Sequence, residues 1–289
     1  MEKLDYQEIL AKLQALDDQL RGLGLNQHDR LRVHQSNIAQ LISVQEKGTL
    51  EQFSTDLAGE KRREILWSLI ESIEFVEAME ALQRQGCHVP KELLERAISG
   101  PADLFNETPN SNQGRNAMFE ISLAGRIAHG GLRPTIGGEP DVLFDFQKRR
   151  ILVQCKRVMS REAVGKRLLE GGKQLRRDLT NSCNPLDCGV IAISVSRILN
   201  QGDKMLVIQT EADIRKVIGA EIDLLIKELQ PTLRQVKDPR VAGVLFQVTT
   251  PAFVEQNNMF TMARSATICH IEGKSDDALL RSLTRVIQM

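Results

Sequence analysis

Long apolar runs are missing from this chain. No stretch approaches the roughly 18 residues of a membrane-spanning helix, and none is expected to cross a bilayer. The N-terminus, Met-Glu-Lys-Leu-Asp, lacks the basic and apolar regions of a signal peptide. The five cysteines, at 87, 155, 183, 188 and 269, form no CxxC pair and no Cys/His zinc spacing. Scattered in this way they point to a reducing cytoplasm, and the five histidines make no cluster that would suit a zinc hydrolase. Net charge is also absent, with 38 basic residues balanced by 38 acidic ones. Internal repeats and low-complexity tracts are not found. What remains is 289 residues with 42% hydrophobic content, enough for a real core and for two domains.

Residues 1–100 carry helical patterns. Tyr6, Ile9, Leu13, Leu16, Leu20 and Leu23 alternate spacings of three and four, a heptad signature. Leu31, Ile38, Leu41 and Val44 follow in a second pattern. A third covers Arg62 to Arg84, with Glu71, Glu74, Glu77 and Glu80 in its later turns. With 12 basic and 17 acidic residues, a net of −5, this region is not expected to hold DNA itself. It reads as a helical bundle or a coiled-coil arm able to make a homodimer, or as helices packed on the chain's own body. Residues 101–115 are polar and turn-rich and read as a linker.

From 116 to 289 the pattern is α/β. Phe119, Leu123, Ala124, Ile127 and Ala128 recur at helical spacing, and Glu120 falls near the middle of that apolar arc. A carboxylate there loses hydration unless it is paired or binds a metal. It is either a buried Glu satisfied by an Arg or a functional group. Pro140 suits the first residue of a strand, although Pro-Asp is also an ordinary turn dipeptide. Residues 151–157 alternate, which turns Ile151, Val153 and Cys155 one way and Leu152, Gln154 and Lys156 the other. Antiparallel pairing would then bring Asp141 near the end of that strand. Between Lys148 and Arg177 stand 11 basic and 2 acidic residues, a net of +9, the kind of patch that binds a phosphate backbone. Further on, Val190–Val195, Val241–Val248 and Ala266–Ile271 read as strands, and Glu211–Leu229 and Ser275–Ile287 as helices. His270, between apolar neighbours, reads as a core histidine.

Together these residues resemble the PD-(D/E)XK nuclease superfamily. Pro140-Asp141 matches its PD element, Gln154-Cys155-Lys156 its (D/E)-X-K, and Glu120 its upstream helical Glu. The element order also agrees: helix 115–129, strands 132–136, 141–146 and 150–157, helix 161–181, strand 189–196. The resemblance implies an α/β (α+β) fold with a restriction-endonuclease-like αβββαβ core and a mixed sheet, behind an all-helical N-terminal region. It implies Mg²⁺ or Mn²⁺ held by Asp141 and Glu120, with the Gln154 amide oxygen and the Cys155 backbone carbonyl. Lys156 would orient the attacking water and stabilise charge on the phosphate. Arg157, Lys173, Gln174 and Arg177 would bind nucleic acid, DNA first and RNA as a possible substitute. The departure is Gln154, where most members carry Asp or Glu. Two functions follow as expectations: a metal-dependent DNA endonuclease, in restriction or genome defence, and an inactive nuclease fold serving as a nucleic-acid-binding or assembly module.

Overall fold

Alternate residues of a single strand face two different cores. In the computed structural model β3 (Arg149–Arg157) sends Ile151 and Val153 into a cluster shared with the N-terminal helices, while Leu152 joins a second cluster on the opposite face of the sheet. The period-two alternation of 151–157 therefore sets a three-layer arrangement. The structure describes residues 5–26, 29–47, 59–108, 111–182, 184–200, 205–236, 238–257, 259–271 and 277–288.

On the first face lie α1 (Tyr6–Gly22), α2 (Asp29–Glu46), α3 (Gly59–Arg84), α4 (Lys91–Ile98), α5 (Gln113–His129) and, late in the chain, α9 (Asp277–Gln288). On the second lie α6 (Arg161–Thr180) and α8 (Glu211–Leu233). The short α7 (Ser196–Leu199) follows β4. Seven strands form one mixed sheet among the described residues: β1 (Thr135–Ile136), β2 (Val142–Phe146), β3, β4 (Cys188–Ser194), β5 (Leu206–Ile208), β6 (Val241–Val254) and β7 (Met259–His270). The pairs β1–β2 and β2–β3 are antiparallel, β3–β4 and β4–β6 parallel. One edge of β6 takes β4 and then β5, and its other edge takes β7 antiparallel over its whole length. Among the described residues no helix is long and apolar enough to cross a membrane.

The heptad stripe is spent inside the chain. Tyr6, Ile9, Leu13, Leu16 and Leu20 are buried, and the Tyr6 hydroxyl donates to the Phe260 carbonyl at 2.8 Å. Only Leu23, 51% exposed, points outward. The stripe thus packs on the chain's own helices and on the sheet, the intramolecular alternative. The expected linker is packed too. Leu104 lies against Trp67 and Ile70, and Arg115 is buried beside α3.

Small residues let two of the helices touch. A Cβ on Gly125 of α5 would meet the Ala78 Cα of α3 at 2.4 Å, so any larger residue would force these helices apart. Near that crossing Glu71 of α3 receives two buried guanidinium groups. Arg30 donates through Nε and Nη2 at 3.2 and 2.6 Å, and Arg115 through Nε at 2.5 Å. The remaining guanidinium hydrogens reach the Ala97 and Ala102 carbonyls, so both cations are largely satisfied.

Strands β2 and β3 meet at a two-residue turn, Gln147-Lys148, with φ of 49° and 64°. Positive φ at both positions defines a type I′ hairpin turn, and neither residue carries the Asn-Gly chemistry that favours it. Left-handed backbone costs a residue with a Cβ about 1–2 kcal/mol. Changing Gln147→Asn and Lys148→Gly together is expected to raise stability by about 1 kcal/mol, read as a higher denaturant midpoint at unchanged slope. An unchanged midpoint would show that the turn is not strained.

Candidate active site

Asp141 precedes β2 by one residue, and the antiparallel register pairs Val142 with Val153. That register sets Asp141 beside the C-terminal half of β3, where its Oδ2 accepts the Cys155 backbone N–H at 2.6 Å. Glu120 approaches from α5, and Lys156 extends from β3. Together they line a polar cavity of about 270 Å³, with Arg96, Asn116 and Glu170 among the other walls. The cavity lies at the strand where the sheet changes from antiparallel to parallel pairing. Glu120, Asp141, Cys155 and Lys156, taken from the sequence as one site, are brought together.

The electrostatics are those of two half-buried carboxylates that feel each other's charge. Glu120 is pushed up to about 7, first by burial and then by the charge of Asp141, with Arg96 and Lys156 pulling in the opposite sense. Burial also raises Asp141, against the opposing effects of the Cys155 N–H and the Lys156 ammonium. The Cys155 thiol is driven well above its ordinary range by burial and by both acids.

Gln154 behaves differently from the expectation. Only 2% exposed, it stands behind the cavity rather than in its wall. Its Nε2 donates to Asp178 Oδ2 of α6 at 3.0 Å, and its Oε1 faces Lys156 Nζ at 3.5 Å. A carboxylate can only accept and an ammonium can only donate, so both ends of the amide are fixed. Its oxygen faces Lys156, and the side chain is not among those that line the cavity.

The basic patch is also less free than its count suggests. Arg157 binds the buried Glu107 at 2.6 Å and also lines the cavity that holds Glu120, Asp141 and Lys156. Arg150, Arg161 and Arg177 are paired with Asp187, Glu228 and Glu139, all outside the counted stretch. Lys173 and Arg177 are exposed on α6, as a backbone contact requires. Gln174, on the same helix, keeps a buried Oε1 with no hydrogen-bond partner.

Sequence reasoning missed Arg96, Glu170 and Asp178. Arg96 comes from α4, within the region set aside as too acidic for DNA. Glu170 lines the cavity while accepting from Arg167 at 2.8 Å. The i,i+4 spacing of Gln174 and Asp178 on one helix was a usable signal, since it stacks two polar groups on the face toward β3.

A divalent cation fits this donor set. Binding would relieve the mutual repulsion of Glu120 and Asp141, and the polar cavity leaves room for water. Among the described residues no three His, Cys, Asp or Glu side chains are grouped closely enough to hold an ion by themselves. An ion here would keep several waters, the habit of Mg²⁺. Comparison with protein-family models, curated proteins and solved structures finds no match.

Proposed function

We propose that this protein is a metal-dependent endonuclease with a restriction-endonuclease-like core, hydrolysing phosphodiester bonds of DNA. The observation that carries the reading is the convergence of Glu120, Asp141 and Lys156 on one polar cavity. The succession α5, β1, β2, β3, α6, β4 supports the fold assignment, because its antiparallel and parallel pairings match the αβββαβ order the motifs imply.

Asp141 and Glu120 would hold Mg²⁺ or Mn²⁺, with the Cys155 backbone carbonyl as a further oxygen. Bound there, the ion lowers the pKa of a water and neutralises charge on the phosphate. Lys156 stabilises the developing negative charge and orients the water. Gln154 and Asp178 act through Lys156: the amide transmits the Asp178 contact to the lysine and holds the ammonium toward the cavity. Lys173 and Arg177 on α6 supply exposed contacts to the backbone.

Gln154 also favours a second reading, an inactive nuclease fold that binds nucleic acid. Incubating the protein with supercoiled plasmid, linear DNA and RNA, with Mg²⁺ or Mn²⁺ against EDTA, separates the two. Chelator-sensitive nicking or linearisation supports the enzyme. DNA retention with no cleavage under either metal supports the binding module and sinks the first proposal.

The raised pKa of Glu120 gives a pH dependence with a definite sign. Its folded value, about 7, exceeds the ordinary glutamate value of 4.5. The stability this difference provides is full below 4.5 and is lost as pH rises through 7. A cation binds only the ionised carboxylate and so competes with that proton. Stabilisation by Mg²⁺ or Mn²⁺ should therefore be larger at about pH 8 than at about pH 6, measured as a shift in Tm. Glu120→Gln should flatten the difference. Equal shifts at both pH values would remove Glu120 from the metal site.

A further inference from the structure

A second cavity, of about 540 Å³, lies away from the candidate active site, between α3, α5, α8, β7 and α9. Its volume is within the range of small-molecule sites, about 300–1,000 Å³. The residue that marks it is Arg126, on the helix that carries Glu120. Its side chain is 10% exposed, and two of its nitrogens, Nε and Nη2, are buried without a hydrogen-bond partner.

Those two nitrogens form the side-on fork of a guanidinium, which matches the two oxygens of a carboxylate or phosphate. At Arg161 and Arg30 the same fork is filled, whereas Arg63 also keeps a buried Nε without a hydrogen-bond partner. At Arg161 the fork takes both oxygens of Glu228 at 2.9 and 2.6 Å, and at Arg30 it closes on Glu71. At Arg126 it is open. Glu74, which shares the cavity, keeps its Oε1 3.8 Å from Nη2 and accepts instead from the Thr249 hydroxyl at 2.7 Å. Burial pushes the Glu74 carboxyl upward, against the charge of Arg126. The other acids on the α3 wall are taken, Glu77 by Arg264 at 2.7 Å and Glu80 by Lys12 at 3.0 Å. A buried guanidinium with an unfilled fork is costly unless an acceptor arrives.

We propose that this cavity binds a small oxyanion, a carboxylate or phosphate ester, through bidentate contact with the Arg126 guanidinium. Such a ligand would sit among four helices, α3, α5, α8 and α9, and the β7 strand, and would stabilise the fold whether or not the other cavity cuts DNA.

The test is the Tm of the full chain, with EDTA present, titrated with inorganic phosphate and separately with acetate, against chloride at matched ionic strength. A saturable rise with either anion supports the proposal, and the arm that responds identifies the group. Arg126→Lys keeps the charge and removes the fork, so it should abolish the rise. Gly219→Leu is the independent variant. Gly219 lines the cavity, and a Cβ there meets nothing within 4 Å, so a leucine side chain has open space to enter. It too should abolish the rise. No response above chloride, the result expected if water alone fills the cavity, overturns the proposal. So does a response that survives both variants. A response lost instead in Lys156→Ala would locate the anion in the active-site cavity, and it overturns this proposal while leaving the nuclease reading intact.

Discussion

Asp141→Asn should lower metal-dependent cleavage by about two orders of magnitude or more, the scale of losing one charged group that acts on the transition state. The amide is chosen because it can still accept the Cys155 N–H that the carboxylate accepts at 2.6 Å, so the hairpin position survives while the negative charge goes. Removing that charge also removes part of what raises Glu120, whose pKa should fall toward the ordinary range. DNA affinity measured in EDTA should be unchanged or higher, because a carboxylate that repels phosphate has been neutralised. Circular dichroism and the denaturation midpoint give the folding control. Cleavage at the wild-type rate by a folded Asp141→Asn protein would take Asp141 out of the chemistry.

The largest effect on stability should come from Glu71→Gln. Arg30 and Arg115 are nearly inaccessible to solvent and both point their forks at this carboxylate. Removing one partner of a buried ion pair typically costs about 3–5 kcal/mol, and here two cations lose the same anion. Burial alone would raise the Glu71 carboxyl, but Arg115 and Arg30 outweigh it and hold it well below its ordinary value. Its contribution is therefore fully present above the ordinary glutamate value of 4.5 and is lost as pH falls through the depressed folded value. Urea titrations at neutral pH and in mild acid check both parts. The gap between wild type and Glu71→Gln should narrow as pH drops. A gap under about 1 kcal/mol at neutral pH would mean that the three groups are no more than a solvated cluster.

Much of the candidate site was legible because its elements are short and strongly patterned. Alternation over 151–157 separated the two faces of β3 correctly, and Pro140 marked the approach to β2. Helix α5, expected at 115–129, runs Gln113–His129. What escaped was anything set by contacts between distant parts of the chain. Glu71 recurs with Glu74, Glu77 and Glu80 in the later turns of α3, and nothing local reveals that Arg30 and Arg115 close on it. Arg96 reaches the cavity only because α4 packs on α5. Strand β6 was read as far as Val248, since Thr249, Thr250 and Pro251 break the apolar run. It continues to Val254 because β7 pairs with it throughout, and Pro251 falls in the gap between β4 and β5 on the other edge. The short β5 has no pattern of its own and exists by pairing with the end of β6.

The bond from the Tyr6 hydroxyl to the Phe260 carbonyl spans 254 residues. A ribosome adding about 5–20 residues each second needs on the order of 10–50 s to make that much chain. For that interval α1 has its helical neighbours but not the strand that accepts its tyrosine. Helix α1 therefore cannot complete its packing until β7 has emerged. Nascent chains halted before β7 should accordingly be far more open to protease at α1 than the finished protein is.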